Sequence, residues 1–390
     1  MNVLCLFQKF SFESSTIYLD LIRELKAKGH EVFVIAGTSS EKTDYSSIDH
    51  QEGVSTAYVK LPDQFHTDKI RKGLIQLTIG RKMLACAKRF FWNEKIDIII
   101  YPTPPITLAG ILPALKKHYG ALNYLMLKDI FPQNAVDLKM MGEGGLLHKY
   151  FRNMEKKLYR ESDKIGCMSQ ANITYVKEKN PEIPSIKLEL FPNTVRIQPR
   201  TDWQTKDKSC VRFVFGGNLG KPQAIDLLME GIRKLRDFQG ARFTIIGDGT
   251  EAEKVRSYIK QHKLTNVRFE NQLPRDEYEQ LLSNADVGLV MLSADFTVPN
   301  YPSRTLSYMQ MSKPILAVTD RVTDIHALVT YEARCGWWCA SDDVDGFVEQ
   351  IKKIYEERDK LSEFGENGRN YLEENFNVAR SVEILENAVR

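Results

Sequence analysis

Three residues able to bind an anion follow Pro302, where the sequence changes from a loop to a helix predicted over residues 303–311. Proline suits a first helical turn because its missing N–H would lack a partner there anyway. Ser303, Arg304 and Thr305 would then gather backbone N–H groups, two hydroxyls and a guanidinium at the positive end of a helix, which favours phosphate. The alternative interpretation is an ordinary capped helix, because Ser and Thr are common at helix starts.

A glycine-rich group follows the first predicted strand of the second half of the chain. Gly217 would let a ligand approach the backbone at the carboxyl end of that strand, and Asn218 and Lys221 come directly after it. The lysine would offset the charge of a phosphate; the alternative is a tight turn without a ligand. Gly247 and Gly249 follow the next strand and are interpreted as turn glycines lining the same site, because the third glycine of a dinucleotide fingerprint is absent.

An aspartate follows a predicted strand in the first half of the chain. Asp129 comes after the strand at 123–127, and open α/β sheets bind ligands at the carboxyl ends of their strands. The carboxylate is therefore expected to face a cleft between two domains. The alternative is that Asp129 caps a helix beginning near Pro132, and both roles are compatible.

Strand-like and helix-like segments alternate along most of the chain, which predicts parallel sheets with helices on both faces. Residues 191–210 are polar and aperiodic, so a linker is expected there, after which the alternation restarts. The predicted fold class is α/β, with two tandem Rossmann-like doubly wound domains and a cleft between them. Buried strands are predicted at 2–7, 31–36, 97–101, 123–127, 164–168, 212–215, 242–246, 266–270, 286–291 and 314–318.

The composition of the 390 residues, with 43% hydrophobic and 27% charged side chains, is that of a globular protein. Residues 1–195 carry 27 Lys and Arg against 21 Asp and Glu, whereas the remainder carries 27 against 30, so the two halves are expected to meet different partners. The six cysteines show no metal-ligand spacing and no disulfide framework, which predicts a reducing compartment. We expect no signal peptide and no membrane span.

A basic stretch over residues 60–92 contains eight Lys and Arg interleaved with aliphatic and aromatic residues. Such a pattern suits an anionic membrane surface. The alternative is a long packing helix with a solvated basic face. Nucleic acid is not expected as a partner, because no zinc finger, aromatic RNA-binding signature or arginine-rich tail is present.

An ordered series of segments resembles family 4 of the retaining glycosyltransferases, which have the GT-B fold. The combination of KDIFPQNAVDLKMM, GGNLGK and YPSR is most similar to the branch that builds bacterial O-antigen and capsule, including L-fucosamine transferases. The segments are ELKAKGHEVFVIAG (24–37), FPN (191–193), FVFGGNLGK (213–221), IIGDG (245–249), FENQLPRDEYEQLLSNADVGLV (269–290), YPSRTLSYMQMSKPILA (301–317) and FGENGRNYLEENF (364–376).

The resemblance implies an acceptor-binding domain at 1–195, a nucleotide-sugar-binding domain at 196–375 and a last helix, 376–390, crossing back to the first domain. It implies a UDP-linked donor and a glycan or polyprenyl-diphosphate-linked acceptor, used at the cytoplasmic face of the membrane by a peripheral enzyme. The leaving diphosphate of a retaining transfer can itself assist the acceptor hydroxyl, so no metal ion or other cofactor is expected.

The residues matched to these roles fall into three sets. Those expected to act in catalysis are Asp129, Lys221 and Arg304. Those expected to bind the donor are Gly217, Asn218, Lys221, Gly247, Ser303, Arg304, Thr305 and Ser307. Those expected to bind the acceptor are Glu13, Asp129 and Asn134.

The sequence departs from the family pattern at two pairs of positions. Many relatives have two glutamates eight residues apart, which align here with Pro299 and Ser307, so Ser307 would be a weaker substitute at the ribose. An Arg and a Lys that flank the donor diphosphate in the wider family align with Asn218 and Gln223. The cationic side chains near the diphosphate would therefore have to come from elsewhere in these motifs.

Two other functions stay open at this point. A nucleotide-sugar epimerase of GT-B fold would use the same donor site but no second sugar. A catalytically silent, glycosyltransferase-like partner subunit would account for the absent glutamates.

Overall fold

A computed structural model describes residues 1–13, 16–38, 48–61, 69–200 and 209–390, the side chains of residues 69–77, 275 and 276 excepted. The chain forms two compact units. Unit 1 comprises Met1–Arg196 and Asn377–Arg390, and unit 2 comprises Ile197–Phe376.

Each unit is built on one sheet. The strands of unit 1 are β1 (Asn2–Phe7), β2 (Glu31–Thr38), β3 (Ile48–Gln51), β4 (Val54–Lys60), β5 (Ile98–Pro102), β6 (Leu122–Leu127), β7 (Lys164–Cys167) and β8 (Leu188–Leu190). Those of unit 2 are β9 (Val211–Gly216), β10 (Ala241–Ile246), β11 (Val267–Glu270), β12 (Val287–Met291), β13 (Ile315–Thr319) and β14 (Gly336–Ala340).

Helices connect these strands. The first six are α1 (Ile17–Ala27), α2 (Lys69–Phe90), α3 (Leu112–Tyr119), α4 (Gln133–Asp137), α5 (Leu146–Glu161) and α6 (Gln170–Lys179). The next five are α7 (Ile225–Lys234), α8 (Ala252–Gln261), α9 (Arg275–Asn284), α10 (Arg304–Gln310) and α11 (Ile325–Ala327). The last three are α12 (Val344–Glu356), α13 (Leu361–Asn375) and α14 (Val378–Val389), and shorter helical turns cover Ile106–Gly110, Ser185–Lys187, Lys221–Gln223, Leu328–Glu332 and Arg358–Lys360.

The sheet of unit 1 has the order β3-β4-β2-β1-β5-β6-β7-β8. The β3–β4 pair is antiparallel, whereas the central pairs are parallel. Central strands such as β5 bury all their residues, as expected when helices cover both faces of a parallel sheet. The strand order reverses between β1 and β5: β2 and β4 lie on one side of β1, and β5 to β8 lie on the other. The loops at the carboxyl ends of β1 and β5 therefore diverge and leave a crevice for a ligand.

The sheet of unit 2 has the order β11-β10-β9-β12-β13-β14 and is parallel throughout. The order reverses between β9 and β12, which makes the carboxyl ends of these two strands the switch point of a Rossmann-like sheet. The predicted doubly wound α/β architecture is confirmed in both halves.

The last helix belongs to unit 1. α14 packs against α1, and buries Val378, Val382 and Leu385 in the same apolar core as β1 and β2. Asn377 caps its start by accepting the N–H of Ala379. No helix among the described residues is both long and apolar enough to span a membrane.

Candidate functional site

Two glycine loops lie against each other at the carboxyl edge of the unit 2 sheet. The N–H of Gly217, after β9, donates to the carbonyl of Ile246, and a Cβ on Gly247, after β10, would overlap the carbonyl oxygen of Gly217. Both glycines have positive φ, 128° and 153°, which a residue with a Cβ rarely adopts. Only glycine therefore lets the two loops approach this closely and expose their backbone at the switch point.

Arg304, the first residue of α10, lies over the loop that follows β9. Its Cζ is 4.6 Å from the centroid of the Phe215 ring, and its Nη2 would be 3.2 Å from a Cβ on Gly217. Its Nη1 is buried and makes no hydrogen bond, and no described carboxylate pairs with the guanidinium. Burial lowers the pKa of Arg304, with Tyr308 and Tyr278 opposing the shift, yet an arginine stays protonated at neutral pH. The site thus presents a fixed cation with an unused donor.

The start of α10 differs in detail from the sequence prediction. Ser303 precedes the helix and is exposed, but its side chain forms no cap hydrogen bond. The N–H of Thr305 is not free, because it donates to the carbonyl of Pro302 at 3.3 Å, and the Thr305 hydroxyl is fully buried. Ser307 is exposed one turn further along the helix. The start of α10 therefore offers the guanidinium of Arg304 to an anion, but not the N–H of Thr305.

Asn218 and Lys221 complete the loop after β9. The Nδ2 of Asn218 donates to the Oε1 of Gln223 at 3.3 Å, and the same Oε1 accepts the N–H of Gly220 at 3.1 Å. Lys221 is exposed at the start of a short helical turn and makes no ion pair with a described residue. Asn218 is thus fixed by the loop, whereas the Lys221 ammonium is left for a ligand.

Sequence reasoning missed the aromatic residues around Arg304. The Arg304 guanidinium stacks on the ring of Phe215. The hydroxyl of Tyr278, on α9, packs so closely on Gly216 that no Cβ fits there. The buried Tyr308 hydroxyl donates to the carbonyls of Val214 and Leu289 at 3.3 Å each. These residues look like ordinary core residues in the sequence, and only their three-dimensional contacts connect them to the site.

Asp129 lies at the carboxyl edge of the unit 1 sheet. The Oγ1 of Thr103, after β5, accepts the N–H groups of Lys128 at 3.1 Å and Asp129 at 3.2 Å, which fixes this turn. Burial raises the pKa of the Asp129 carboxyl to about 6. The residue that precedes α4 is Pro132 and no side chain caps that helix, so the alternative role of Asp129 as a cap has no hydrogen bond to support it.

Lys128 is a second ionisable group at this edge. Burial lowers the pKa of its ammonium to about 7, and its Nζ lies 5.2 Å from the centroid of the Phe191 ring. It lines a cavity of about 10 Å³ together with Tyr18, Thr194 and Ser381. That volume has room for about one water molecule.

The other predicted acceptor residues share this edge but form no hydrogen bond with Asp129. Glu13, after β1, is exposed, and its N–H donates to the hydroxyl of Ser11 at 3.1 Å. Asn134, on α4, has a buried Oδ1 without a hydrogen-bond partner. No hydrogen bond links Glu13, Asp129 and Asn134, so the structure brings them to one edge of the sheet but not into one cluster.

The basic stretch at 60–92 lies partly outside the described residues, since 62–68 and the side chains of 69–77 are not included. In the described part of α2, Ile79 and Met83 are buried. The opposite face exposes cations. These exposed residues are Arg81, Lys82, Lys88 and Arg89. This part of α2 packs through one face and exposes a basic face, an arrangement compatible with both interpretations of the stretch.

Two family models divide the chain between them. "Glycosyltransferase Family 4" matches residues 14–198 and "Glycosyl transferases group 1" matches residues 201–371. The probable glycosyltransferase WbjE of Pseudomonas aeruginosa is 26% identical over 342 residues, which are 85% of this chain and 83% of that relative. The chain is a GT-B glycosyltransferase.

Solved structures support the fold of this glycosyltransferase over its whole length. Sucrose-phosphate synthase from Thermosynechococcus elongatus superposes with a TM-score of 0.78 at 13% identity, covering 99% of this chain and 98% of that one. Anabaena HepE, solved in complex with UDP, superposes with a TM-score of 0.69 at 14% identity, covering 100% and 99%. At such low identity, these likenesses show the GT-B fold alone.

Proposed function

We propose that this glycosyltransferase binds a UDP-sugar in unit 2 and transfers the sugar, with retention, to a glycan or polyprenyl-diphosphate-linked acceptor held by unit 1. The observation that carries the proposal is the half-buried Arg304 beside Gly217, whose Nη1 donor is buried and unused. A desolvated cation without an anionic partner is costly, so it is retained where a ligand supplies the anion. A diphosphate at the switch point of the sheet would do so.

The residues proposed to bind the UDP-sugar have different roles, which follow from their chemistry. The planar fork of Arg304 suits two phosphate oxygens, while the exposed Lys221 acts as a point charge on the leaving group. Gly217 and Gly247 open the backbone to the diphosphate, and Ser303 and Ser307 offer exposed hydroxyls. The complex of HepE with UDP supports the choice of nucleotide.

The proposed reaction needs no protein nucleophile and no metal ion. As the bond between the anomeric carbon and the diphosphate oxygen breaks, the acceptor oxygen bonds to the same face of that carbon, and the acceptor proton passes to the departing diphosphate oxygen or to Asp129. Arg304 and Lys221 stabilise the charge that develops on the phosphate. Asp129, with a pKa near 6, orients the acceptor or takes its proton at neutral pH. Glu13 and Asn134 would contact other parts of the acceptor.

A calorimetric titration with UDP tests the donor site. The Lys221→Ala/Arg304→Ala double variant should lose most of its affinity, whereas Arg256→Ala should keep it. Arg256 is a matched control in the same unit, because its guanidinium also lies over a phenylalanine, Phe269, at 4.9 Å. Unchanged UDP affinity in the double variant would refute the donor site.

The proposed setting is bacterial O-antigen or capsule synthesis by an L-fucosamine-transferase-like enzyme, bound peripherally at the inner face of the cytoplasmic membrane. The exposed cations of α2 support attraction to anionic lipids, at about 1 kcal/mol for each residue near the surface. Flotation with anionic liposomes should show binding that weakens with salt. No binding at low salt would leave 60–92 as a packing segment only.

A further inference from the structure

Four large apolar side chains between residues 140 and 150 face solvent. Leu146 is 89% exposed, Met140 68%, Leu147 58% and Tyr150 44%. A single exposed leucine is normal in a folded protein, but neighbouring exposed apolar groups mark a surface that another molecule covers. We call these four residues the apolar tip.

The fold holds the apolar tip away from the core of unit 1. Leu146 begins α5 after Gly144 and Gly145, and Leu146 and Tyr150 are four residues apart on one face of the helix. α5 buries Leu158 and Tyr159 in its second half and packs Phe151 against Phe131 at a ring distance of 5.0 Å, so the helix is held in place while the side chains of its first turn stay exposed. The apolar tip is therefore a stable feature of the surface.

The apolar tip lies at the same edge of the unit 1 sheet as Asp129. α5 connects β6 to β7, which are parallel neighbours, so the helix runs antiparallel to them and starts near their carboxyl ends. Asp129 also follows the carboxyl end of β6. An apolar chain attached to the acceptor would thus meet the apolar tip on the side where its sugar or diphosphate is proposed to bind.

The charge around the apolar tip is positive. Residues 139–150, which include the apolar tip, carry Lys139 and Lys149 against Glu143, and the first turn of α5 has no acidic residue. α2, with its exposed cations, packs against the same turn at Ile106–Gly110 as α5 does. A second copy of the chain would bring like charges together, whereas an anionic lipid surface would neutralise them.

We propose that Met140, Leu146, Leu147 and Tyr150 insert into the interfacial region of an anionic bilayer. The neighbouring Lys149 is exposed and would contact lipid headgroups. The purpose of this contact, presentation of a lipid-linked acceptor, rests on the proposed function, but bilayer binding itself does not depend on sugar transfer. The same region of unit 1 then combines basic attraction through α2 with apolar insertion through α5.

The test is flotation of the full chain with vesicles of phosphatidylcholine containing about 30% phosphatidylglycerol. The Leu146→Ser/Leu147→Ser variant should bind at least about tenfold more weakly, because two aliphatic side chains no longer leave water. Ile186→Ser is the matched control: Ile186 is 80% exposed but precedes β8, at the opposite edge of the sheet, so its loss should not change binding. UDP binding should be unchanged in both variants, which separates this proposal from the donor site.

Two results would overturn the insertion of the apolar tip. One is equal vesicle binding by the wild type and the double-serine variant. The other is a wild-type dimer in sedimentation velocity that the double-serine variant dissociates while vesicle binding persists, which would make the apolar tip an interface between copies.

Discussion

The guanidinium carbon of Arg304 lies 4.6 Å from the centroid of the Phe215 ring, and its Nη1 has no hydrogen-bond acceptor. Arg256 makes a similar ring contact with Phe269 at 4.9 Å, but its guanidinium also donates to Glu253 and Asn271. The two arginines thus share a ring contact, but only the guanidinium of Arg256 has hydrogen-bond acceptors in the described part of the protein. The ring of Phe215 holds the Arg304 guanidinium in place, and its unused Nη1 donor can bind a ligand.

Replacing Arg304 with methionine should therefore separate stability from binding. Without ligand, the Arg304→Met variant should melt at the wild-type temperature or above it, because a desolvated cation is removed. The rise in melting temperature that UDP gives the wild type should disappear; at a hundredfold excess over Kd that stabilisation is about 2.7 kcal/mol. Thermal unfolding with and without UDP measures both effects.

Arg256→Met provides the comparison for that experiment. It removes a satisfied and exposed guanidinium, so UDP should still stabilise this variant as it does the wild type. If Arg304→Met kept the full response to UDP, the unused Nη1 donor would have no role in binding the nucleotide.

The contact between the two glycine loops predicts a strict requirement at Gly247. In a Gly247→Ala variant, the new Cβ would overlap the Gly217 carbonyl, and the residue would keep an unfavourable positive φ. We expect a loss of roughly 1–3 kcal/mol in the free energy of unfolding and weaker UDP binding, because the loop after β9 must move. Chemical denaturation and calorimetry measure these two changes.

Gly110→Ala is the control for that substitution, since a Cβ there would meet no atom within 4 Å. It should change neither stability nor UDP affinity by a comparable amount. A Gly247→Ala variant as stable as Gly110→Ala would mean that the two loops are not held together as described.

Strongly apolar strands could be predicted from the sequence, and less regular ones could not. The prediction at 2–7 coincides with β1, and that at 286–291 differs from β12 by one residue. β4 and β14 lie outside the predicted strands, and in β4 the apolar run is interrupted by Ser55 and Thr56. β14 is an edge strand, which buries less surface and so carries a weaker pattern, whereas β4 lies inside its sheet between β3 and β2.

Positions along the chain could be predicted for the donor site, but contacts could not. The sequence placed Gly217 and Arg304 after two strands, and strand order then decides which loops meet. Neither the stacking of Arg304 on Phe215 nor the hydrogen bond between Asn218 and Gln223 has a sequence signal. The N–H of Thr305 was expected to be free because helix starts usually leave such groups unpaired, but the turn at Pro302 uses it.

The depressed pKa of Lys128 predicts a stabilising substitution. Its pKa falls from 10.5 to about 7 through burial, so the protonated form costs stability at and below pH 7, and this cost vanishes as the pH rises toward 10.5. Lys128→Met keeps the length of the side chain and removes the charge. We expect a gain of roughly 1–3 kcal/mol at pH 6–7 and none near pH 10, measured by chemical denaturation. A pH-independent effect would show that the ammonium is well solvated.

Asp129→Asn should change both the pH dependence of stability and the rate of transfer. Burial raises the pKa of this carboxyl from 3.8 to about 6. The protonated carboxyl therefore gives the folded wild type its full stability below about pH 4, and part of that stability is lost as the pH rises through 6. The asparagine variant has no such titration and should be more stable than the wild type above pH 6, by at most about 3 kcal/mol. If the carboxylate serves the acceptor, wild-type turnover should rise as the pH passes 6.

In the Asp129→Asn variant, turnover should fall by roughly two orders of magnitude, the usual effect of losing a proton-transfer group, while UDP affinity stays the same. Asp129→Ala separates this role from a structural one. A helix cap would cost about 1 kcal/mol when changed to alanine but would tolerate asparagine, and Pro132, not Asp129, precedes α4. Normal turnover by the asparagine variant, with only the alanine variant destabilised, would mean that Asp129 holds the chain and that another group serves the acceptor hydroxyl.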